Sequence, residues 1–167
     1  MNKPPLLPDE ALRRVLRTAH LDGMGVLVIS GAFALASAAS RGRSGMIVGL
    51  LVAAAGAIEL HGGSLLRRGE RGGLYWLVGS QIYLLAVLLG YVSLRLTHID
   101  INAVRGLLTD DVKKQIADTG MTVDEFLRMG YGLLYRLVGG LSILYQGGMA
   151  LYYLRKRRAV SAALEEI

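Results

Sequence analysis

The chain has 167 residues, 53% of them apolar and only 19% charged, with a positive mean hydropathy. That balance excludes an ordinary soluble domain, which would spread charge along amphipathic helices. There is no cysteine, which removes disulfides, thiolate metal sites, iron–sulfur clusters and cysteine nucleophiles. The formal net charge of +6 raises nucleic acid as a partner, but eleven of the nineteen Lys and Arg residues lie in three short segments beside apolar runs. This is how membrane proteins distribute basic residues, and nucleic acid is set aside.

The opening Met-Asn-Lys-Pro-Pro-Leu-Leu-Pro-Asp-Glu is polar and proline-rich. It lacks a basic segment leading into a short apolar core and cleavage site, so it does not read as a cleavable signal. Four apolar runs follow, at about 20–39, 45–66, 73–96 and 129–154. Each is long enough for a hydrocarbon core, which takes roughly 20 residues at ~1.5 Å rise. The expected fold is therefore an all-α membrane protein: a four-transmembrane-helix bundle forming a single integral membrane domain over 1–167.

The first run opens with His20 and Asp22. The second carries Gly45, Gly49, Ala53 and Ala57 at intervals of four, a small-residue row that lets helix backbones approach closely where lipid gives no hydrophobic drive for association. It ends with Glu59 and His61, two polar groups where a span should carry neither. They are two residues apart and therefore about 200° apart around a helix, so one should face the interior and the other a seam. The third run holds Gln81, and the fourth holds Arg136, Gln146, Gly139, Gly140, Gly147 and Gly148. Tyr75, Trp76, Tyr91, Tyr131, Tyr152 and Tyr153 stand near span ends and read as interfacial belts.

Between the third and fourth spans, about 97–122, Val104, Leu107, Leu108, Val112 and Ile116 recur at helical spacing. Thr109 followed by Asp110 and Asp111 resembles a cap, and Gly120 can stop the helix. A short amphipathic helix on the membrane surface is expected there. Thr122-Val-Asp-Glu125 reads as a capping box opening the last helix, from about Val123 to Arg155. Leu74-Tyr-Trp-Leu-Val-Gly79 also echoes Leu134-Tyr-Arg-Leu-Val-Gly139, which raises an inverted repeat of the kind transporters use, against chance matching of common residues.

Topology follows from the loop charges. Lys3, Arg13, Arg14 and Arg17, then Arg67, Arg68 and Arg71, then Arg155, Lys156, Arg157 and Arg158 all fall on one side of an even number of spans. The positive-inside rule makes that side cytoplasmic, with both termini, and implies a bacterial inner membrane. The other side takes Arg41, Arg43 and the acidic connection with Asp100, Asp110, Asp111, Asp118, Asp124 and Glu125.

Counted from the cytoplasmic ends, His20, Asp22, Glu59, His61, Gln81 and Gln146 fall in one layer about 3–12 Å deep. Every span contributes to it. Three readings compete. The layer could be a structural hydrogen-bond network. It could be a cation or proton site, with Glu59 as the titrating or coordinating group, Asp22 or His61 as second carrier and Gln81 and Gln146 as neutral ligands. Or His20 and His61 could be axial ligands of a b-type haem, with a quinone nearby. No hydrolase constellation or metal-protease motif stands out, and no cofactor is assigned.

The reading carried forward is a protein that binds or conducts a small cation or proton through the cytoplasmic half of the bundle, as a homo-oligomer in the lipid bilayer. Its rival is a non-transporting scaffold or assembly subunit. Arg136, the outer-half charge, is expected to snorkel or pair rather than line an anion path. Arg155, Lys156, Arg157 and Arg158 anchor the topology and offer a contact for anionic lipid.

Overall fold

The computed structural model describes residues 8–39, 43–98, 101, 105, 106 and 108–165. Within them the fold is α1 (Pro8–Ala39), α2 (Arg43–Arg67), α3 (Gly73–Thr97), a short α4 (Asp110–Asp118) and α5 (Val123–Ala163). All but α4 are long and apolar enough to cross a membrane. The chain is a four-span α-helical integral membrane protein whose solvent over most of its length is lipid. Lys3, Arg41, Asp100, Val104 and Leu107 lie outside the described residues.

Two helices run well past their expected spans. α1 starts at Pro8, whose fixed φ suits a first helical position, with Asp9 and Glu10 in the first turn where the helix dipole favours acids. α5 continues beyond Arg155 to Ala163. The extensions pack: Leu12, Val15 and Ala19 of α1, Leu66 of α2, Leu74 and Leu77 of α3, and Tyr153, Val160 and Ala163 of α5 form one buried cluster. Basic residues between these apolar positions hide the helical row from a hydropathy reading. Arg71 pairs with Glu165 and Arg157 donates to the Tyr75 hydroxyl, so the α2–α3 turn lies beside the carboxy-terminal part of α5. With Leu12 and Val15 in the same cluster, the basic segments of α1, of the turn and of α5 share one end.

By compactness the chain divides in two, one unit taking residues up to Val87 and from Ile143 onward, the other Leu88–Ser142. The first is itself a four-helix arrangement, and α2 is its centre. A Cβ at Gly49 would stand 2.8 Å from the Ala34 Cβ, and one at Gly56 would stand 2.6 Å from the Gly23 carbonyl oxygen. On the adjoining face, a Cβ at Gly62 would stand 2.8 Å from the Gly73 carbonyl oxygen. Bare backbone therefore meets bare backbone on both sides of α2. The expected row is corrected at its end: Ala57 is exposed and Gly56 makes the close approach, because a row facing one neighbour drifts to seven-residue spacing. The α2–α3 turn is a Schellman motif, with Gly69 at φ 81° and Glu70 N–H donating to the Leu65 carbonyl at 3.0 Å.

In the second unit the capping box forms: Thr122 N–H donates to Glu125 Oε2 at 2.9 Å and Glu125 N–H to Thr122 Oγ1 at 3.3 Å. Gly120, at φ 78°, ends α4 as expected. Among the described residues of 97–122, a helix spans Asp110–Asp118, and Arg105, whose N–H donates to the Ile101 carbonyl at 2.9 Å, is helical as well. Thr109 occupies the N-cap but makes no side-chain cap bond, and Lys113 beside Asp110 holds that carboxyl below its ordinary range. Ile116 is buried whereas Val112 is exposed.

The echo between α3 and α5 does not survive packing. Leu74 and Leu77 are buried and Gly79 exposed, while Leu134 and Leu137 are exposed and Gly139 is buried. Corresponding residues face opposite surroundings, which a structural repeat would not produce.

The glycine contacts give a paired test. Gly56→Ala forces backbone apart and should destabilise the protein by about 1–3 kcal/mol, the usual cost of overpacking. Gly148→Ala, where a Cβ meets nothing within 4 Å, should be neutral or slightly stabilising. Thermal unfolding in detergent reads both.

A buried carboxylate pair bridged by one amide

Glu59 lies on the α2 stripe that also carries Gly62 and Leu66, and this stripe faces the interior of the first unit. Its carboxylate is 1% exposed. Oε1 accepts a hydrogen bond from the Tyr153 hydroxyl of α5 at 2.6 Å. Oε2 accepts from Gln81 Nε2 of α3 at 3.0 Å. The same nitrogen donates its second hydrogen to Asp22 Oδ2 of α1, also at 3.0 Å, and Asp22 Oδ1 accepts from the Tyr145 hydroxyl at 2.8 Å. A continuous chain thus runs from Tyr153 through Glu59, Gln81 and Asp22 to Tyr145. It touches every long helix.

Gln81 explains how two acids share this space. An amide nitrogen has two hydrogens and an amide oxygen has none, so only the orientation with nitrogen inward can bridge two carboxylates. The opposite orientation would aim a third acceptor at them. Every carboxylate oxygen in the pair accepts one hydrogen bond, and the three groups that donate them are neutral. No ion pair to Glu59 or Asp22 occurs among the described residues. Gln81 Oε1 is buried without a hydrogen-bond partner among the described residues, and so is Gln146 Oε1. Around the acid pair acceptors outnumber donors, and no fixed cation stands among the described residues.

Glu59, Asp22 and Gln81, nominated from the sequence, are therefore in direct contact. Gln146 is buried on the stripe of α5 that also carries Tyr153. Gln146, His61, His20 and Arg136 are not joined to the hydrogen-bond network. His61 is exposed and packs edge-on against Trp76, ring centroids 5.2 Å apart. His20 is exposed on α1 and lines a groove with Leu60 and Gly63 of α2, a different face of that helix from His61. The two imidazoles do not converge as axial ligands would. Arg136 is exposed, in the second unit, where Asp124 pairs with Arg105. No cluster of three metal-ligating His, Cys, Asp or Glu side chains occurs among the described residues.

Tyr153 and Tyr145 are the residues the sequence reading missed. Tyr153 is 0% exposed and a donor to Glu59, not part of an interfacial belt. A usable signal was present. Ser142, Gln146, Tyr153 and Val160 recur at heptad spacing and all are buried.

The fold and site define a small four-span membrane protein with an acid pair enclosed among its helices. Comparison with protein-family models, curated proteins and solved structures finds no match to the chain.

Because Tyr153 is the one donor to Glu59 Oε1 among the described residues, Tyr153→Phe should cost about 1–3 kcal/mol, the penalty for an unsatisfied buried acceptor. Combined with Glu59→Gln in a double-mutant cycle, it should show a coupling of about 0.5–3 kcal/mol. Additive losses in chemical denaturation would mean the bond contributes nothing.

Proposed function

We propose that the protein binds a small cation or a proton at Glu59 and passes it through the cytoplasmic half of the membrane. Asp22 is the second carboxylate of the path, and Gln81 and Gln146 are neutral ligands. The observation that carries this reading is a buried acid, Glu59, linked through one amide to half-buried Asp22, both held only by neutral donors. An isolated ionised carboxylate in a low-dielectric interior is strongly unfavourable and is neutralised by a proton, a cation or a fixed partner. With no fixed partner among the described residues, the neutralising charge is an exchangeable one. The chain of contacts from fully buried Glu59 to half-buried Asp22 gives that charge a direction of travel. Four helices are too few to enclose a wide conduit, so the working form is a homo-oligomer. The shared end of the basic segments faces the cytoplasm of a bacterial inner-membrane topology.

The scaffold reading has one observation in its favour. The same bonds join all four long helices, as a structural fastening would. Interhelical polar bonds in membranes average only about 0.6 kcal/mol, which makes a buried acid beside a second one a poor device for stability alone.

Flux separates the two readings. In proteoliposomes under a proton, sodium or potassium gradient, Glu59→Gln should fall to the level of protein-free vesicles while keeping its fold. Asp22→Asn should fall part of the way. Wild-type flux equal to that of protein-free vesicles for all of these ions would leave the scaffold.

Orientation has its own test, made clean by the absence of native cysteine. Arg68→Cys should react with an impermeant maleimide only from the cytoplasmic side, and Asp111→Cys only from the opposite side. The reverse pattern would invert the topology.

A further inference from the structure

On the face of α1 turned away from the acid pair, a groove runs between α1 and α2. Leu16, His20 and Met24 line it from α1, and Leu60, Gly63 and Arg67 from α2. Its depth comes from Gly63, where a Cβ would have only the Ala19 methyl within 4 Å, at 4.0 Å. The helices are antiparallel neighbours, with Gly23 packed on Gly56 and Leu60 and with Ala19 on Gly63. Arg67 and Leu16 therefore lie at the arginine-rich end, His20 and Gly63 a turn deeper, and Met24 and Leu60 deepest. The lining thus passes from guanidinium through imidazole to purely apolar.

The charged groups nearest the groove are arginines, with Asp9 one turn beyond Arg13 at the start of α1. Arg13 lies one turn outward on the Leu16–His20 stripe, and Arg17 is adjacent to it. Elsewhere at this end Arg14 is paired with Glu10, Arg71 with Glu165, and Arg157 rests against Tyr75. Arg13, Arg17 and Arg67 have no carboxylate partner among the described residues. Asp22 points to the opposite side of α1, toward Gln81 and Tyr145.

We infer that this groove is a site for one anionic phospholipid, with its phosphate at Arg67, its ester region beside His20 and an acyl chain along Met24 and Leu60. The polarity gradient matches a lipid entering from the arginine-rich leaflet, and a basic residue near an anionic surface contributes favourably. A free anion would find the guanidinium but gain nothing from the apolar floor. The site is independent of the cation or proton path, and it places specific lipid contact between α1 and α2 rather than on the carboxy-terminal basic run.

The test is native mass spectrometry of the full chain released from mixed micelles containing phosphatidylglycerol or phosphatidylcholine. Wild type should retain one phosphatidylglycerol per chain and prefer it to phosphatidylcholine. Arg67→Gln, an exposed substitution that should not disturb folding, should lower retention about fivefold. Gly63→Leu, which fills the groove without changing charge, should lower it as much, whereas Arg155→Gln with Arg158→Gln should not. Equal retention by Arg67→Gln and wild type would overturn the proposal, as would equal affinity for phosphatidylcholine. Displacement by millimolar inorganic phosphate would do the same by making the ligand a free anion. A second copy of the chain filling the groove would instead appear as a dimer lost in Gly63→Leu.

Discussion

Glu59 is a carboxylate enclosed by four helices in the part of the chain that meets lipid, and the surrounding structure is organised by what that group requires. It needs donors, and Tyr153 and Gln81 supply them from α5 and α3. It must also tolerate a second acid, which a single amide nitrogen with two hydrogens allows. The donors need helices held at short separation, and the bare-backbone contacts of Gly49, Gly56 and Gly62 provide that on both faces of α2. Close packing and the polar network are thus two sides of one arrangement. Long helices that could not approach so closely would leave the acid beside lipid, where it would cost several kcal/mol.

The two faces of α2 also divide the labour. One face carries Glu59 toward α3 and α5. The other, with Leu60, Gly63 and Arg67, meets α1 along the groove at the arginine-rich end. His61 lies between them and packs against Trp76 at the lipid-facing edge. An acid enclosed by neutral donors and a cationic groove open at its rim are opposite solutions for charge near a membrane. The first encloses its charged group, and the second displays its own.

Much of this was legible in the sequence. Spans are written in twenty-residue apolar runs, and the 200° separation of Glu59 and His61 requires that they meet different neighbours. Depth counting brought Asp22, Glu59 and Gln81 to one level because antiparallel helices of regular rise keep level residues level. What hydropathy could not show was the helix before residue 20, where Arg13, Arg14 and Arg17 interrupt an apolar row that only tertiary packing reveals. Tyrosine was ambiguous for a related reason: Tyr153 near a span end has the chemistry of a belt residue and of a buried donor alike. Its heptad relation to Gln146 distinguishes the two. The repeated Leu-Tyr-X-Leu-Val-Gly string misled because a shared string does not fix a shared face, and Leu77 is buried where Leu137 is exposed.

The central claim is that Glu59 carries a charge state that exchanges with the medium. Infrared difference spectroscopy on protein in lipid, stepping pH or cation concentration, observes carboxyl groups directly. A carboxyl band should change with one of these steps and be absent from the Glu59→Gln protein. A difference spectrum that is the same with and without Glu59, across the full range of pH and cation concentration in which the fold persists, would contradict it.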